Sequence, residues 1–272
     1  MLQKKVNLFG LLIDDIDMEG AIEISREALA PGEQKSFFTP NLEILDGARK
    51  SAGVCDVLNS ANVSLPDGVG VKIVGRLLGK PINNTVAGID FGENLFKLAS
   101  KEGKSVFLLG GKEGVAERAA NRLQAEYSNL QISGVHHGYF GEDELNTVCR
   151  KINDSKAEVL IVCRGFPRQE KFVFMAKYRL PNVKIFACLG GAIDIWSGAK
   201  KRAPAFVVKL RLEWFWRIIG ESERAKRFLI SLDTLFEAIK IWFKNLLYRL
   251  GMKRGDYAYN RTSKSVELRA WR

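Results

Sequence analysis

Ser105-Val-Phe-Leu-Leu-Gly-Gly111 decides the fold class. Its apolar run, 105–109, is too short for a helix and stops at a glycine pair, so it reads as a buried strand followed by a tight turn. Helical periodicity covers 113–127, and a second apolar run, 130–136, ends in Gly138-Tyr139-Phe140. The unit then recurs. A helix over 143–155 precedes a strand over 158–163 that ends in Gly165-Phe166-Pro167. A helix over 169–178 precedes a strand over 183–189 that ends in Gly190-Gly191. Short apolar runs alternating with longer helices predict right-handed βαβ units and a parallel sheet covered by helices.

Toward the N-terminus the pattern is less regular. Residues 6–13 read as one strand, and Asp17 as the cap of a helix over 18–30 that ends at Pro31-Gly32. A short strand, 35–39, runs into Thr39-Pro40-Asn41, and one helical pattern covers 42–58. After a connection at 81–85, Val86-Ala-Gly-Ile-Asp90 opens a helix to about Ser100. Between these lies Val63-Ser-Leu-Pro-Asp-Gly-Val-Gly-Val71, a strand stopped by Pro66 and followed by a helix with Val71, Val74, Leu77 and Leu78 on one face. Asp67 therefore falls beyond a strand's C-terminal end and before a helix, where open α/β sheets bind ligands. Two readings stand there: an N-cap for the next helix, or a carboxylate that does chemistry.

The later strands all end in glycine: Gly110, Gly111, Gly138, Gly165, Gly190 and Gly191. Glycine lets backbone N–H groups approach a ligand, and helix N-termini favour anions, so a nucleotide diphosphate fits. Tight βα turns need glycine in any case. No G-x-G-x-x-G follows a strand and no G-x-x-x-x-G-K-[ST] occurs, which argues against a dinucleotide dehydrogenase and a P-loop NTPase.

The 272 residues, 46% hydrophobic, suffice for one large α/β domain or two smaller ones. Cys55, Cys149, Cys163 and Cys188 lie far apart with no C-x-x-C, predicting neither disulfides nor a zinc site and a reducing compartment. His136 and His137 are adjacent and cannot form a His-x-x-x-His metal face. No signal peptide or apolar run of about 20 residues is visible, so a cytoplasmic protein is expected.

The net charge of +11 is localised. From 199 to 272 the chain has 18 Lys+Arg against 7 Asp+Glu, whereas the first 198 residues balance at 24 of each. Such a tail suits anionic lipid, nucleic acid or phosphates. Arg202-Ala-Pro204 marks a break, and 205–219 mixes Phe206, Leu210, Trp214 and Phe215 with basic residues. Residues 231–250 are amphipathic. Leu232, Leu235, Phe236, Ile239, Phe243, Leu246, Leu247 and Leu250 form one face, and Asp233, Glu237, Lys240 and Lys244 the other. Such a helix either docks its apolar face on the core or lies in a membrane interface; Trp242, Tyr248, Arg249, Lys253 and Arg254 favour the interface. The expected architecture is a Rossmann-like, mostly parallel α/β core over 1–198 with a basic helical appendage over 199–250 and a loose polar tail over 251–272.

Ordered motifs then carry a resemblance. They are Thr39-Pro-Asn41 with Glu43, Pro66-Asp-Gly68, Arg76-Leu-Leu-Gly79, Ala87-Gly-x-Asp90, Gly110-Gly111, Gly138-Tyr-Phe140, Gly165-x-Pro-x-Gln-Glu170, Gly190-Gly-Ala192 with Asp194, Gly198, Arg202-Ala-Pro204 and Glu213-Trp214. In order and spacing, from about Val6 to about Arg227, the chain resembles the WecG/TagA/CpsF glycosyltransferases. The resemblance implies an inverting, metal-independent transfer of N-acetylmannosamine or its uronic acid from a UDP-sugar. The implied acceptor is a sugar on undecaprenyl diphosphate at the inner face of a bacterial membrane, in cell-wall polymer or teichoic acid synthesis. The UDP-sugar is a substrate, and no further cofactor is implied.

The resemblance also implies roles. Asp67 is the base, with Thr39, Asn41 and Gln169 around the reacting sugars. Gly110, Gly111, Gly138, Tyr139, Gly165, Gly190, Gly191 and Asp194 face the donor, Asp194 being the second choice for base. Arg217, Arg224 and Arg227 reach back from the appendage to the departing diphosphate, which planar guanidinium forks suit; a solvated basic face is the plain alternative. One departure stands out. Many members carry arginine where this chain has Thr85, so Lys72, Arg76, Lys80, Arg164 or Arg168 would supply that charge, or the donor or the rate differs. Peripheral attachment to an anionic membrane and a membrane-controlled homodimer are further expectations. A basic nucleic-acid-binding protein is the competing reading, against which the tail's aromatics fall largely on the apolar face. A third is a non-catalytic scaffold, supported by Thr85 alone.

Overall fold

The structure, a computed structural model, describes residues 4–30, 34–204, 207, 216 and 222–249. The expectations for Pro31-Gly32, for most of 205–219 and for 250–272 lie outside those residues. The first departure is at the N-terminus. Residues 6–13 are not one strand but a hairpin of β1 (Lys5–Leu8) and β2 (Leu11–Asp14), paired antiparallel as a separate sheet. Phe9 and Gly10 both take positive φ, and the Asn7 side chain accepts the Gly10 N–H at 2.9 Å, so a local side-chain bond folds the apolar run back on itself.

The main sheet is the expected one. Strands β3 (Lys35–Phe38), β4 (Val63–Ser64), β5 (Ser105–Gly110), β6 (Gln131–His136), β7 (Val159–Cys163) and β8 (Ile185–Cys188) form a six-stranded sheet in the order β4-β3-β8-β7-β5-β6. All its pairings are parallel. Both faces are covered, as a parallel sheet requires. Along β5, Phe107 and Leu109 join one core and Val106 and Leu108 the other.

One face is packed by α2 (Leu42–Lys50), α3 (Ala52–Asn59), α4 (Val69–Leu77), α7 (Leu145–Asp154) and α8 (Arg168–Ala176). The other carries α1 (Met18–Leu29), α5 (Gly88–Glu102), α6 (Val115–Glu126) and α9 (Ala192–Trp196). Asp17 caps α1 as expected, accepting the Gly20 N–H at 2.9 Å. The single helical pattern over 42–58 is split instead. Ser51 ends α2 with an extended ψ, and its hydroxyl accepts the Val54 N–H to start α3. All four cysteines are free and buried.

The last described helix, α10 (Ser222–Arg249), packs on α2 and α4. It docks mainly by a face of small residues, with Leu235 of the apolar stripe half-buried at its edge. Ser231, Thr234 and Ala238 are buried, while Phe236, Ile239 and Phe243 of the apolar stripe are exposed. Small side chains let the helices approach closely, and the dock is polar. Thr234 Oγ1 donates to Asp46 Oδ1 at 2.7 Å, Arg49 Nε donates to Thr234 Oγ1 at 3.1 Å, and Lys50 pairs with Asp46 at 2.8 Å. Among the described residues no helix is long and apolar enough to cross a membrane.

Candidate active site

The sequence-predicted residues collect on the C-terminal edge of the sheet. Chain after β3 enters α2 on one face and chain after β8 enters α9 on the other, so the two loops diverge and leave a crevice. Thr39 sits at its floor, 5% exposed, and its hydroxyl donates to the Cys188 carbonyl at 2.9 Å. Backbone pairing continues past the ends of β3 and β4: Leu65 N–H to Phe38 O at 2.8 Å and Asp67 N–H to Pro40 O at 3.0 Å. Thr39-Pro40-Asn41 and Pro66-Asp67-Gly68 therefore lie side by side. Gly88, at the start of α5, closes against Thr39; a Cβ there would sit 3.4 Å from its Oγ1.

Asp67 does not occupy the N-cap position of the next helix. The N-cap of α4 is Gly68, at φ 83 and ψ 167. A left-handed residue is needed to turn from strand to helix, which glycine adopts without strain. The turn leaves Asp67 half-buried, one residue outside the cap position. Asn41 does cap. Its Oδ1 accepts the Ile44 N–H at 3.1 Å, which leaves the amide NH2 as the end able to donate.

Gln169 lies behind the crevice rather than in it. It is 2% exposed, its Oε1 accepts the Gly190 N–H at 2.9 Å, and its Nε2 donates to Glu170 Oε1 at 2.8 Å. Glu170 has no exposed surface, and burial pushes its carboxyl up to about 7 against the help of Gln169. Residue-level reading quoted Glu170 in a motif and gave it no role; the signal was a carboxylate directly after a helix-start glutamine.

The glycines divide into two kinds. Gly110 and Gly138 are required by close packing between loops. A Cβ on Gly110 would lie 2.3 Å from the Cys163 carbonyl oxygen, and one on Gly138 would lie 3.1 Å from Gly110 Cα. Gly165 and Gly190 have positive φ with open space where a Cβ would be, so they keep the crevice wall low. Arg164 pins the β6 loop. Its guanidinium donates to Gly138 O at 2.8 Å and Phe140 O at 2.7 Å and stacks 3.6 Å over the Phe140 ring. Desolvation lowers it to about 10, which leaves it positive at neutral pH. Tyr139 on that loop is 61% exposed. Strands repeat at about 4.8 Å, so the β4 and β6 loops stand roughly 24 Å apart across five spacings. Asp67 and Tyr139 therefore stand on the loops of the two outermost strands, at opposite ends of the edge.

The remaining candidates are placed as follows. Gly191 is the N-cap of the short α9, and Asp194 within it faces Lys200 at 3.6 Å. Arg227 on α10 pairs with Glu43 at 3.0 Å, two residues from Asn41, which brings a cation to the crevice rim. Arg217 and the side chain of Arg224 lie outside the described residues. Around half-buried Thr85, Lys72 donates to the Asn83 carbonyl and Lys80 to the Asn7 carbonyl. Arg76 lines a groove between α4 and α10 with Leu77, Gly79, Trp242, Asn245 and Leu246. Arg168 is exposed near Arg164. Arg202 bridges to Asp90 and Glu93 and ties the post-core segment to α5.

Comparison with known proteins completes the picture. The profile of the Glycosyl transferase WecG/TagA/CpsF family matches residues 6–247, extending past the motifs into most of α10. The N-acetylglucosaminyldiphosphoundecaprenol N-acetyl-beta-D-mannosaminyltransferase of Bacillus subtilis is 37% identical over 191 residues, 70% of this chain and 73% of that protein. The protein of the same name in Bacillus spizizenii is 34% identical over 220 residues, 80% and 84% of the two chains. That of Staphylococcus aureus is 31% identical over 226 residues, 82% and 87%. On this match, and with the motif residues gathered on one sheet edge, the chain is a glycosyltransferase of the WecG/TagA/CpsF family.

Proposed function

We propose that the chain moves N-acetylmannosamine or its uronic acid from UDP to an undecaprenyl-diphosphate-linked N-acetylglucosamine, with inversion and without a metal, at the inner membrane surface. The observation that carries this is a half-buried Asp67 at the ligand-binding edge beside Thr39 and Asn41, with the cap position taken by Gly68. Inverting transfer needs one base: the acceptor hydroxyl gives its proton to Asp67 as its oxygen attacks the anomeric carbon, and the bond to UDP breaks on the opposite side. Thr39 donates inward to Cys188, so its oxygen is left to accept from a sugar hydroxyl, and the Asn41 NH2 is left to donate to one.

The leaving diphosphate gathers charge, and donors arranged in advance lower that barrier. Arg227 supports this role, because a diphosphate arriving at the rim can replace Glu43 as its partner. Arg217 and Arg224 are proposed to join it. The exposed apolar stripe of α10, flanked by Lys240 and Lys244, suits a membrane interface and would bring the crevice to its lipid-linked acceptor. The test is Asp67→Asn assayed with a panel of UDP-sugars and a short-chain polyprenyl diphosphate-linked N-acetylglucosamine, products read by mass spectrometry. Transfer should fall by about 100-fold or more while UDP binding persists, and chelators should leave wild-type transfer unchanged. Normal turnover by the variant would remove Asp67 from the mechanism.

A further inference from the structure

Three groups run in line from the core to the crevice: Glu170, Gln169 and the Gly190 backbone. Gly190 N–H can only donate, so the Gln169 oxygen must face it and the Gln169 NH2 must face the core. There it needs an acceptor, and Glu170 Oε1 is that acceptor at 2.8 Å. The other carboxyl oxygen, Oε2, is buried without a hydrogen-bond partner among the described residues. A fully buried carboxylate with one oxygen left without a partner is costly when charged and far less so when protonated.

The charged and titratable neighbours favour the neutral form. Glu43 on α2 opposes ionisation of Glu170 and is itself held by Arg227 from α10. The Cys188 thiol on β8 is pushed up by burial first and by Glu170 second, and two hydrogen bonds favour the Glu170 anion, one from the Gln169 side chain and one from Glu170's own backbone.

We propose that Glu170 is a positioning residue for the donor-binding edge. It orients the Gln169 carboxamide toward Gly190 and, by staying uncharged, keeps a negative charge from behind the loop that meets the diphosphate. This rests on the reading of that edge as the donor's. Its consequence is a pH response. Ionisation of Glu170 as pH rises through about 7 puts a charge behind Gly190 and weakens donor binding.

The test compares wild type, Glu170→Gln and Glu170→Leu as full chains. Leu189-Gly190 is one of four Leu-Gly pairs in the chain, so carbonyl-13C-leucine with 15N-glycine labelling reduces the spectrum to four amide signals, and the one absent from Gly190→Ala is that of Gly190. In wild type the Gly190 amide should shift with pH around neutrality. In Glu170→Gln it should hold the low-pH position throughout, and in Glu170→Leu it should be displaced at every pH. Between pH 6 and 8, UDP affinity should weaken in wild type by about three- to tenfold more than in Glu170→Gln, as expected for one added charge at short range. A Gly190 amide that titrates identically in wild type and Glu170→Gln overturns the proposal, even if UDP binds. Absence of UDP binding in all three, with the amide pattern as described, leaves the positioning role intact and removes the donor reading instead. Should Glu170→Leu not fold, the wild-type and Glu170→Gln comparison still decides.

Discussion

The double substitution Phe236→Ser, Phe243→Ser tests what the exposed stripe of α10 does. On a helix of 3.6 residues per turn, these positions lie about 140–160° around from Ala238, the centre of the docked face. They are 60% and 53% exposed. A phenylalanine presents about 200 Å² in full, so the two leave roughly 120 and 105 Å² in water. At ~25 cal/mol per Å², complete burial of that surface in lipid is worth about 5–6 kcal/mol. Half-depth insertion gives about 3 kcal/mol, a loss on the order of 100-fold in partitioning when both rings are removed. Lys240 and Lys244 remain, each worth about 1 kcal/mol at an anionic surface, so residual binding should disappear with salt. Because neither ring packs on the core, the melting temperature should stay within about 1–2 °C of wild type. The assay is cosedimentation with phosphatidylglycerol vesicles, paired with thermal melts. Unchanged vesicle binding with a normal melt refutes the membrane assignment of this face. A melt lowered by many degrees refutes the geometry, since the rings would then be packed against protein.

Other outcomes follow from particular contacts. Thr234→Val removes the buried bond to Asp46 and a partner of Arg49; it should cost about 1–3 kcal/mol and speed hydrogen exchange in α10 specifically. Gly190→Ala strains φ by about 1–2 kcal/mol but meets open space, so the variant should fold and bind UDP more weakly. Gly110→Ala would press against the Cys163 carbonyl and should not give soluble protein; normal yield and melting would contradict the loop packing. Glu170 sets a stability slope. Its folded form holds a proton up to about 7 while the unfolded side chain releases it near 4.5. Between these values the unfolded chain binds fewer protons, so stability present below the lower value is lost as pH rises and levels off above the higher one. Relative to Glu170→Gln, wild type should therefore lose up to about 3 kcal/mol from pH 4.5 to 7, read by denaturant titration. A pH-independent difference would show that Glu170 does not titrate there.

Much was legible in the chain alone. Short continuous apolar runs, each stopped by glycine and alternating with longer helical stretches, pointed to a parallel sheet, because runs that short suit strands buried on both faces. Glycine after each later strand located the edge where loops gather, and Asp67 was singled out by its place past a strand end, whereas Thr39 and Asn41 came from the family resemblance. The charge imbalance after residue 198 and the amphipathic period of 231–250 identified a basic helix.

What the sequence could not decide depends on partners distant in the chain. Whether a glycine serves a ligand or a neighbouring loop is set by what stands opposite: the Cys163 carbonyl against Gly110, open space beside Gly190. Hydropathy left open whether the apolar face of α10 docks or stays outside, and it could not show that Ser231, Thr234 and Ala238 form the buried face, because these bury through shape and hydrogen bonds to Asp46 and Arg49, which no periodicity encodes. The burial of Glu170 likewise comes from α8 lying against the β8 strand, contacts made across the sheet. Local patterns specify elements and their order; desolvation, close approach and the choice of hydrogen-bond partner exist only once the elements are packed.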